Sequence, residues 1–151
     1  MKLLGLRSRT EQELSQALLR RGVSEEDAKA AVARLRELRY MDDREVAATR
    51  AKSSMERGEA PRMVLRRLSR QGVSGEVARA AAEEARGGKS DDELAAQALQ
   101  RKLRGRASPG KNDEREKRRL MRALIAKGHR PGAAARAAGI EWNGEDDGSE
   151  D

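Results

Sequence analysis

The chain has 151 residues, 39% of them charged and 36% hydrophobic, with one Trp, one Tyr, no Phe, no Cys and a net charge of +7. The missing cysteines exclude a disulfide framework and thiolate metal ligation, and a core made of aliphatic side chains and alanine predicts thin helical layers without a deep pocket. No apolar run approaches the ~18 residues that span a bilayer, and the opening apolar stretch is too short for a signal sequence, so a soluble, cytoplasmic, monomeric protein without membrane contact is expected.

In chain order, a short helix is expected over residues 1–6. Thr10, with Glu13 three positions on, starts a helix over 11–21, where Leu14, Ala17, Leu18 and Arg21 share a face that is apolar until its last turn. Ser24 with Asp27 starts the next, 25–39, whose stripe is Ala28, Ala31, Val32 and Leu35. Asp42 with Glu45 opens a helix over 43–57, and Pro61 occupies a first turn in 61–71, followed by 75–85. Ser90 with Glu93 opens 91–103, Asp113 with Glu116 opens 114–127, and Pro131 opens 131–138. No stretch alternates apolar and polar residues over strand length, so no sheet is expected.

One phrase recurs. LLRRGVS at 18–24 returns as LSRQGVS at 68–74 and, more loosely, as LIAKGHR at 124–130. Each ends an apolar-periodic run with a basic last turn and a glycine, the signature of a left-handed C-cap; in the first two copies a valine and a serine N-cap follow. The phrase is a joint between two helices that fold back on each other. Grouping the helices by threes gives units at 1–39, 42–86 and 90–139, with Gly-, Ser- and Pro-containing connections at 86–90 and 105–112. Residues 141–151 carry six acids and no base, so removing them from the net +7 leaves +13 on residues 1–140. Residues 140–151 are expected to form an acidic, disordered tail, and the basic body points to a polyanionic or acidic partner.

A catalytic constellation is not legible. His129, the only histidine, stands beside a helix-ending glycine, where a cation that caps the helix is expected rather than a catalytic group. The acid pairs Asp42/Asp43 and Asp91/Asp92 stand at helix starts and lack a ligand set, so no metal and no cofactor are expected. GGKS at 87–90 lacks the first glycine of a phosphate loop, since residue 83 is Glu. Trp142 and Tyr40 are too few for base stacking. A helix-turn-helix reading of 11–38 would bring Glu25, Glu26 and Asp27 towards phosphates, against major-groove readout.

Three passages carry a family resemblance. RSRTEQELSQALLRRGVSEEDAKAAVARLRELRYMDD (7–43) has a basic run, an E-L pair, L-x-x-[KR]-G and L-x-x-L-x-Y-x-D-D; RGEAPRMVLRRLSRQGVSGEVARAA (57–81) and, more weakly, NDEREKRRLMRALIAKGHRPGAAARAA (112–138) follow in order. Together they resemble the RecX family, regulators of the bacterial recombinase RecA. The family usually has Phe-Ala after the double acid, where this chain has Val46 and Ala47, and often an aromatic after the third glycine, where it has His129; all are expected in the core. The resemblance implies an all-α fold of three tandem three-helix repeats in an elongated, curved, solenoid-like array. It implies no enzyme, but a protein that binds the RecA–DNA filament and modulates it, usually by inhibition, in recombination, DNA repair and the SOS response. The partners are then the RecA filament and single-stranded DNA, reached directly or through the filament. The alternatives are a general nucleic-acid-binding helical protein without a dedicated protein partner, and a solenoid-type adaptor.

If the repeats stack regularly, the basic last turns of the middle helices form a stripe: Arg20 and Arg21; Arg66, Arg67 and Arg70; Arg118, Arg119, Arg122 and Lys127. The stripe is the expected partner or DNA surface. The plainer role for the same bases is to complement helix C-termini, at about 0.3–1 kcal/mol each.

Overall fold

The structure, a computed structural model, describes Gly5 and residues 8–144. Among them lie eight α-helices and no strand: α1 (Glu11–Arg20), α2 (Glu25–Glu37), α3 (Asp43–Glu56), α4 (Pro61–Arg70), α5 (Gly75–Arg86), α6 (Asp91–Leu103), α7 (Glu114–Ala126) and α8 (Pro131–Ala138). The protein is all-α, a helical repeat arrangement. Of the helix expected over 1–6 only Gly5 is described, in a helical conformation, and the tail from residue 145 onward lies outside the described residues.

The helices begin on the expected caps. Thr10 Oγ1 accepts from the Glu13 amide at 3.1 Å while the Glu13 carboxylate accepts from the Thr10 amide at 3.2 Å. Ser90 and Glu93 repeat the exchange at 3.2 and 2.7 Å. Ser24, Asp42 and Asp113 accept from the amides of Asp27, Arg44 and Glu116 at 3.1, 3.0 and 3.2 Å. Each such cap satisfies an orphan donor and is worth about 1 kcal/mol. Helices α1, α2, α3, α4 and α7 stop one or two residues before their expected ends, because those residues already belong to the turn, while α5 runs one residue further.

The three joints share one geometry. Gly22, Gly72 and Gly128 have φ of +87°, +89° and +93°, a region glycine enters without the β-carbon penalty. The next residue's amide then returns to the carbonyl of Leu18, Leu68 or Leu124, at 3.1 Å each time. This six-to-one bond satisfies a carbonyl the helix leaves open. Val23, Val73 and His129 donate it, and Val73 and His129 are buried.

The chain forms two compact units. One takes the described residues up to Lys52 with Leu65–Ala85; the other takes Ser53–Val64 with the described residues from Arg86 on. In the first, Leu14, Val32 and Met41 form a buried cluster against which Leu18 and Leu35 pack. The fully buried Thr10 hydroxyl, besides capping α1, donates to the Gln71 carbonyl at 2.6 Å. This seats the start of α1 on the joint that ends α4, so closely that a β-carbon on Gly72 would lie 2.3 Å from Gln12 Cβ. The Arg50 guanidinium fastens the same contact, reaching the Glu13 carboxylate at 2.6 Å, Gln71 Oε1 at 2.8 Å and the Ser8 carbonyl at 2.6 Å. Its hydrogen bond to Glu13 holds that carboxyl below the ordinary glutamate range.

The second unit repeats the contact one step along the chain. The Ala60 amide, at the start of α4, donates to the Lys127 carbonyl at 2.9 Å in the joint that ends α7. Arg62 Nε donates to the Gly128 carbonyl, and a β-carbon on Gly128 would lie 2.9 Å from Met63 Cβ. The core is Ala98, Leu99 and Leu103 of α6, Leu120 and Leu124 of α7, and Ala134 and Ala138 of α8, with Ile140 packed against it. Helix α8 is almost wholly buried through Ala133, Ala134 and Ala135, small side chains that let backbones approach but bury little area. Val46 and Ala47 are 4% and 0% exposed, in the core as expected.

Glycine therefore does different work at the three joints. Around Gly22 nothing lies within 4 Å of a β-carbon. Gly22→Ala is expected to cost only the left-handed backbone penalty, about 1 kcal/mol. Gly72→Ala and Gly128→Ala should cost at least about twice that, since Gln12 or Met63 must also move. Urea unfolding of the three variants checks the order; equal losses would mean that the helix starts do not press on the joints.

Candidate polyanion-binding groove

The predicted bases fall in two groups. Arg20, Arg21, Arg66, Arg67 and Arg70 belong to the first unit and Arg118, Arg119, Arg122 and Lys127 to the second. Arg20 and Arg21 are exposed at the end of α1, and Arg66 and Arg70 are exposed one turn apart on α4, while Arg67 between them is half-buried. Arg118 and Arg122 are exposed on α7, with Arg122 Nε donating back to the Arg118 carbonyl at 3.3 Å. Arg119 is forked onto Glu116 of its own helix at 2.8 and 2.7 Å, which raises the guanidinium further above its ordinary value and lowers the carboxyl. Lys127 Nζ donates to the Arg57 carbonyl at 2.6 Å. Arg119 and Lys127 are thus each held at the surface by an acceptor of the same chain.

A further basic surface lies elsewhere. Arg57, Arg101, Lys102, Arg104, Arg106 and Lys127 surround an open groove of about 950 Å³, with Leu103 at its floor and Glu56 as its one acid. Three segments of the second unit build it: the end of α3, the end of α6 and the α7 joint. Gly58, at φ +87°, permits the approach, since a β-carbon there would lie 3.3 Å from Ala98 Cβ and 3.4 Å from Lys127 Nζ. At the end of α6 the chain turns through Arg104 and Gly105, both left-handed, at φ 48° and +80°. The turn brings Arg106 Nε back to the Leu103 carbonyl at 3.2 Å.

Helix C-termini explain part of this gathering. Arg101 donates to the Met55 carbonyl and Lys127 to that of Arg57, where the α3 dipole ends negative. Arg57 donates to the Ser53 and Ser54 hydroxyls at 2.8 and 3.2 Å. These bonds use one or two donors of guanidiniums that carry five. The remaining donors of six bases face one acid, an excess of positive charge able to hold phosphates or carboxylates. No aromatic side chain lines the groove, so it has no platform for base stacking and would bind a polyanion by its charge. The run RKLRGR at 101–106 was the available signal, a basic cluster at a helix end. Arg57 and Lys127 join it only through tertiary contact.

His129 corrects an expectation. It is 3% exposed and does not act as a cationic cap for α7. Its Nε2 donates to the Gly58 carbonyl at 2.8 Å, which fixes the tautomer. Burial pushes its pKa below the ordinary histidine value, and the nearby Lys127 and Arg62 charges add to that. The cation at this helix end is Arg62, on the Gly128 and His129 carbonyls. The acid pairs also have observed roles. Asp42 caps α3, and Asp43 accepts from the Glu11 amide at 3.0 Å. Asp91 takes Arg86 at 2.6 Å and Arg130 at 3.3 Å, and Asp92 takes Arg136 at 3.0 Å. Among the described residues no group of three or more His, Cys, Asp or Glu could hold a metal ion, and no helix is long and apolar enough to cross a membrane.

Residues 1–35 match the family described as RecX, first three-helix domain. Over 134 residues the chain is 34% identical to a protein named Regulatory protein RecX from Amycolatopsis mediterranei (strain U-32), an alignment covering 87% of this chain and 74% of that one. No solved structure matches the chain.

The lowered pKa of His129 has a signed consequence. The unfolded chain takes up a proton near pH 6.5, while the folded chain resists it to lower pH. The stability contributed by neutral His129 is therefore full above that value and falls as pH drops through it, by at most about 1.4 kcal/mol per pH unit. Urea midpoints measured from pH 8 to pH 5 should show this loss in the wild type and a flatter profile in His129→Gln, which keeps a donor but does not titrate. Parallel profiles would mean that another group sets the acid limb.

Proposed function

The chain belongs to the RecX family, and we propose that it regulates RecA by binding the RecA–DNA filament through its basic side chains and lowering filament ATPase and strand exchange. The observation that carries this reading is the 34% identity to a regulatory protein RecX across 87% of the chain. The charge distribution supports it physically. A filament is a dense polyanion, and each phosphate neutralised by a base releases counterions, so binding of this kind strengthens as salt falls. The groove around Lys102 and Arg104 and the exposed pair Arg66 and Arg70 are the two surfaces that fit.

A second reading, a nucleic-acid-binding helical protein without a dedicated protein partner, is favoured by one observation. The groove lacks aromatics and suits a bare phosphate backbone as well as a filament. RecA ATPase on single-stranded DNA, titrated with the protein, separates the two. Inhibition at ratios well below one protein per RecA supports filament regulation; unchanged ATPase at concentrations that bind free DNA supports the second reading.

The two surfaces are distinguished by paired variants. Lys102→Gln with Arg104→Gln should weaken filament binding and flatten its dependence on salt by about one unit of slope for each lost phosphate contact. Arg66→Gln with Arg70→Gln is the matched test of the stripe. If both pairs act equally, net charge rather than a site governs binding. If only the second acts, the groove is not the contact.

A further inference from the structure

We propose that the second unit carries a site for one phosphate group, free or as a terminal monoester, in a cavity ringed by Arg62, Arg86 and Arg130. The cavity shares no lining residue with the basic groove, so its occupant is a second ligand, bound with or without RecA.

Size is the first ground. The cavity has a volume of about 90 Å³, room for several waters and hence for a phosphate. It is small beside the roughly 300–1,000 Å³ of pockets that take drug-sized molecules. The start of α4, the turn before α6 and the joint between α7 and α8 build it, all parts of the second unit. Ala60, Pro61 and Leu94 supply apolar walls, which lower the local dielectric and strengthen charge interactions inside. Charge is the second ground. Three guanidiniums line the cavity against one carboxylate, that of Asp91, and burial holds His129 in its neutral form. The excess of two positive charges matches a phosphate monoester, which carries about −1.5 to −2 at neutral pH. A backbone phosphodiester brings a single charge and a chain that continues on both sides, which suits the open groove instead.

The guanidiniums are held in place by the fold and keep donors to spare. Arg86 gives Nη2 to Asp91 at 2.6 Å and Nε to the Lys89 carbonyl at 2.7 Å. Arg130 meets the other Asp91 oxygen through Nε at 3.3 Å. Arg62 is fastened through Nε and Nη2 to the Gly128 and His129 carbonyls. Both terminal nitrogens of Arg130 and Nη1 of Arg62 have no acceptor among the described residues. Guanidiniums oriented in advance can take phosphate oxygens in pairs at little cost in side-chain freedom. Helix α4 adds its field. The residue before it is Ala60, which has no side-chain oxygen to cap the first turn, and its positive end borders the cavity at Pro61.

Calorimetric titration of the full chain with inorganic phosphate, at matched ionic strength in chloride and without RecA or DNA, tests the site. One saturable site per chain is expected. Arg130→Gln should weaken it roughly tenfold, the worth of one lost charge-assisted hydrogen bond, while Arg86 still holds Asp91. Arg130→Lys, which keeps a charge beside Asp91 but loses the fork, should show a smaller loss. Arg104→Gln with Arg106→Gln, in the groove, should leave phosphate binding unchanged. Absence of saturable binding, or a loss in the groove pair with none in the Arg130 variants, would overturn the proposal. A single-stranded oligonucleotide with a terminal phosphate, compared with its terminal hydroxyl form, then identifies the source. Tighter binding of the phosphorylated form, lost in Arg130→Gln, supports the site with nucleic-acid ends as its ligand. Equal binding of the two forms, with inorganic phosphate still taken up, supports it with a free phosphate.

Discussion

Everything else in this fold depends on the peptide groups that precede Gly72 and Gly128. A helix end leaves carbonyls without partners, and here the joint presents them to another helix. The Gln71 carbonyl takes the Thr10 hydroxyl and the Lys127 carbonyl takes the Ala60 amide. Thr10 and Ala60 hold corresponding places, each at the start of a middle helix, and Gln71 and Lys127 each precede the glycine that ends the next one. The start of one helix and the end of another thus satisfy each other's orphan groups in one contact. Glycine lets the chain turn back, and its missing side chain lets the neighbouring helix come close.

That contact supplies directional precision that the core cannot. Much of the buried surface is alanine, with Ala47, Ala51, Ala78, Ala95, Ala134 and Ala135 all at 0% exposure, and alanine contributes little area per residue. The large fully buried side chains are few, chiefly Leu14, Leu68, Leu120 and Leu124. All four sit on the middle helices, Leu68 and Leu124 about one turn and Leu14 and Leu120 about two turns before a joint glycine. Polar groups at the helix starts then fix the register: the Thr10 box, Arg50 on Glu13, and Arg62 on the joint carbonyls. In a repeat arrangement such nearest-neighbour contacts dominate the energetics.

The helices and joints were legible because their signals are local. Apolar periodicity, an acid three residues after a hydroxyl and a glycine after a basic turn each act within a few residues, and each helix was found to within two residues of its ends. That Gly72 and Gly128 are also contact points was not legible, because Gln12 and Met63 reach them across some sixty residues of sequence. His129 was misread for the same reason. Its position beside a helix end invites a charge, but burial favours the neutral ring, against the opposing pull of the Gly58 carbonyl that its Nε2 donates to. The basic groove was missed because only RKLRGR is contiguous, and its other bases arrive from α3 and the α7 joint.

One feature of the groove has a thermodynamic price. Arg104 occupies a left-handed conformation, at φ 48°, that costs a residue with a β-carbon roughly 1 kcal/mol where glycine or asparagine would sit more easily. Gly105 follows immediately and shares the turn, so the strain at Arg104 exchanges stability for a guanidinium at the mouth of the groove. A chain selected for robustness alone would place glycine there. Stabilising substitutions at such positions are easy to find and tend to reduce function, so a thermostable variant drawn from this scaffold would tend to lose groove charge first.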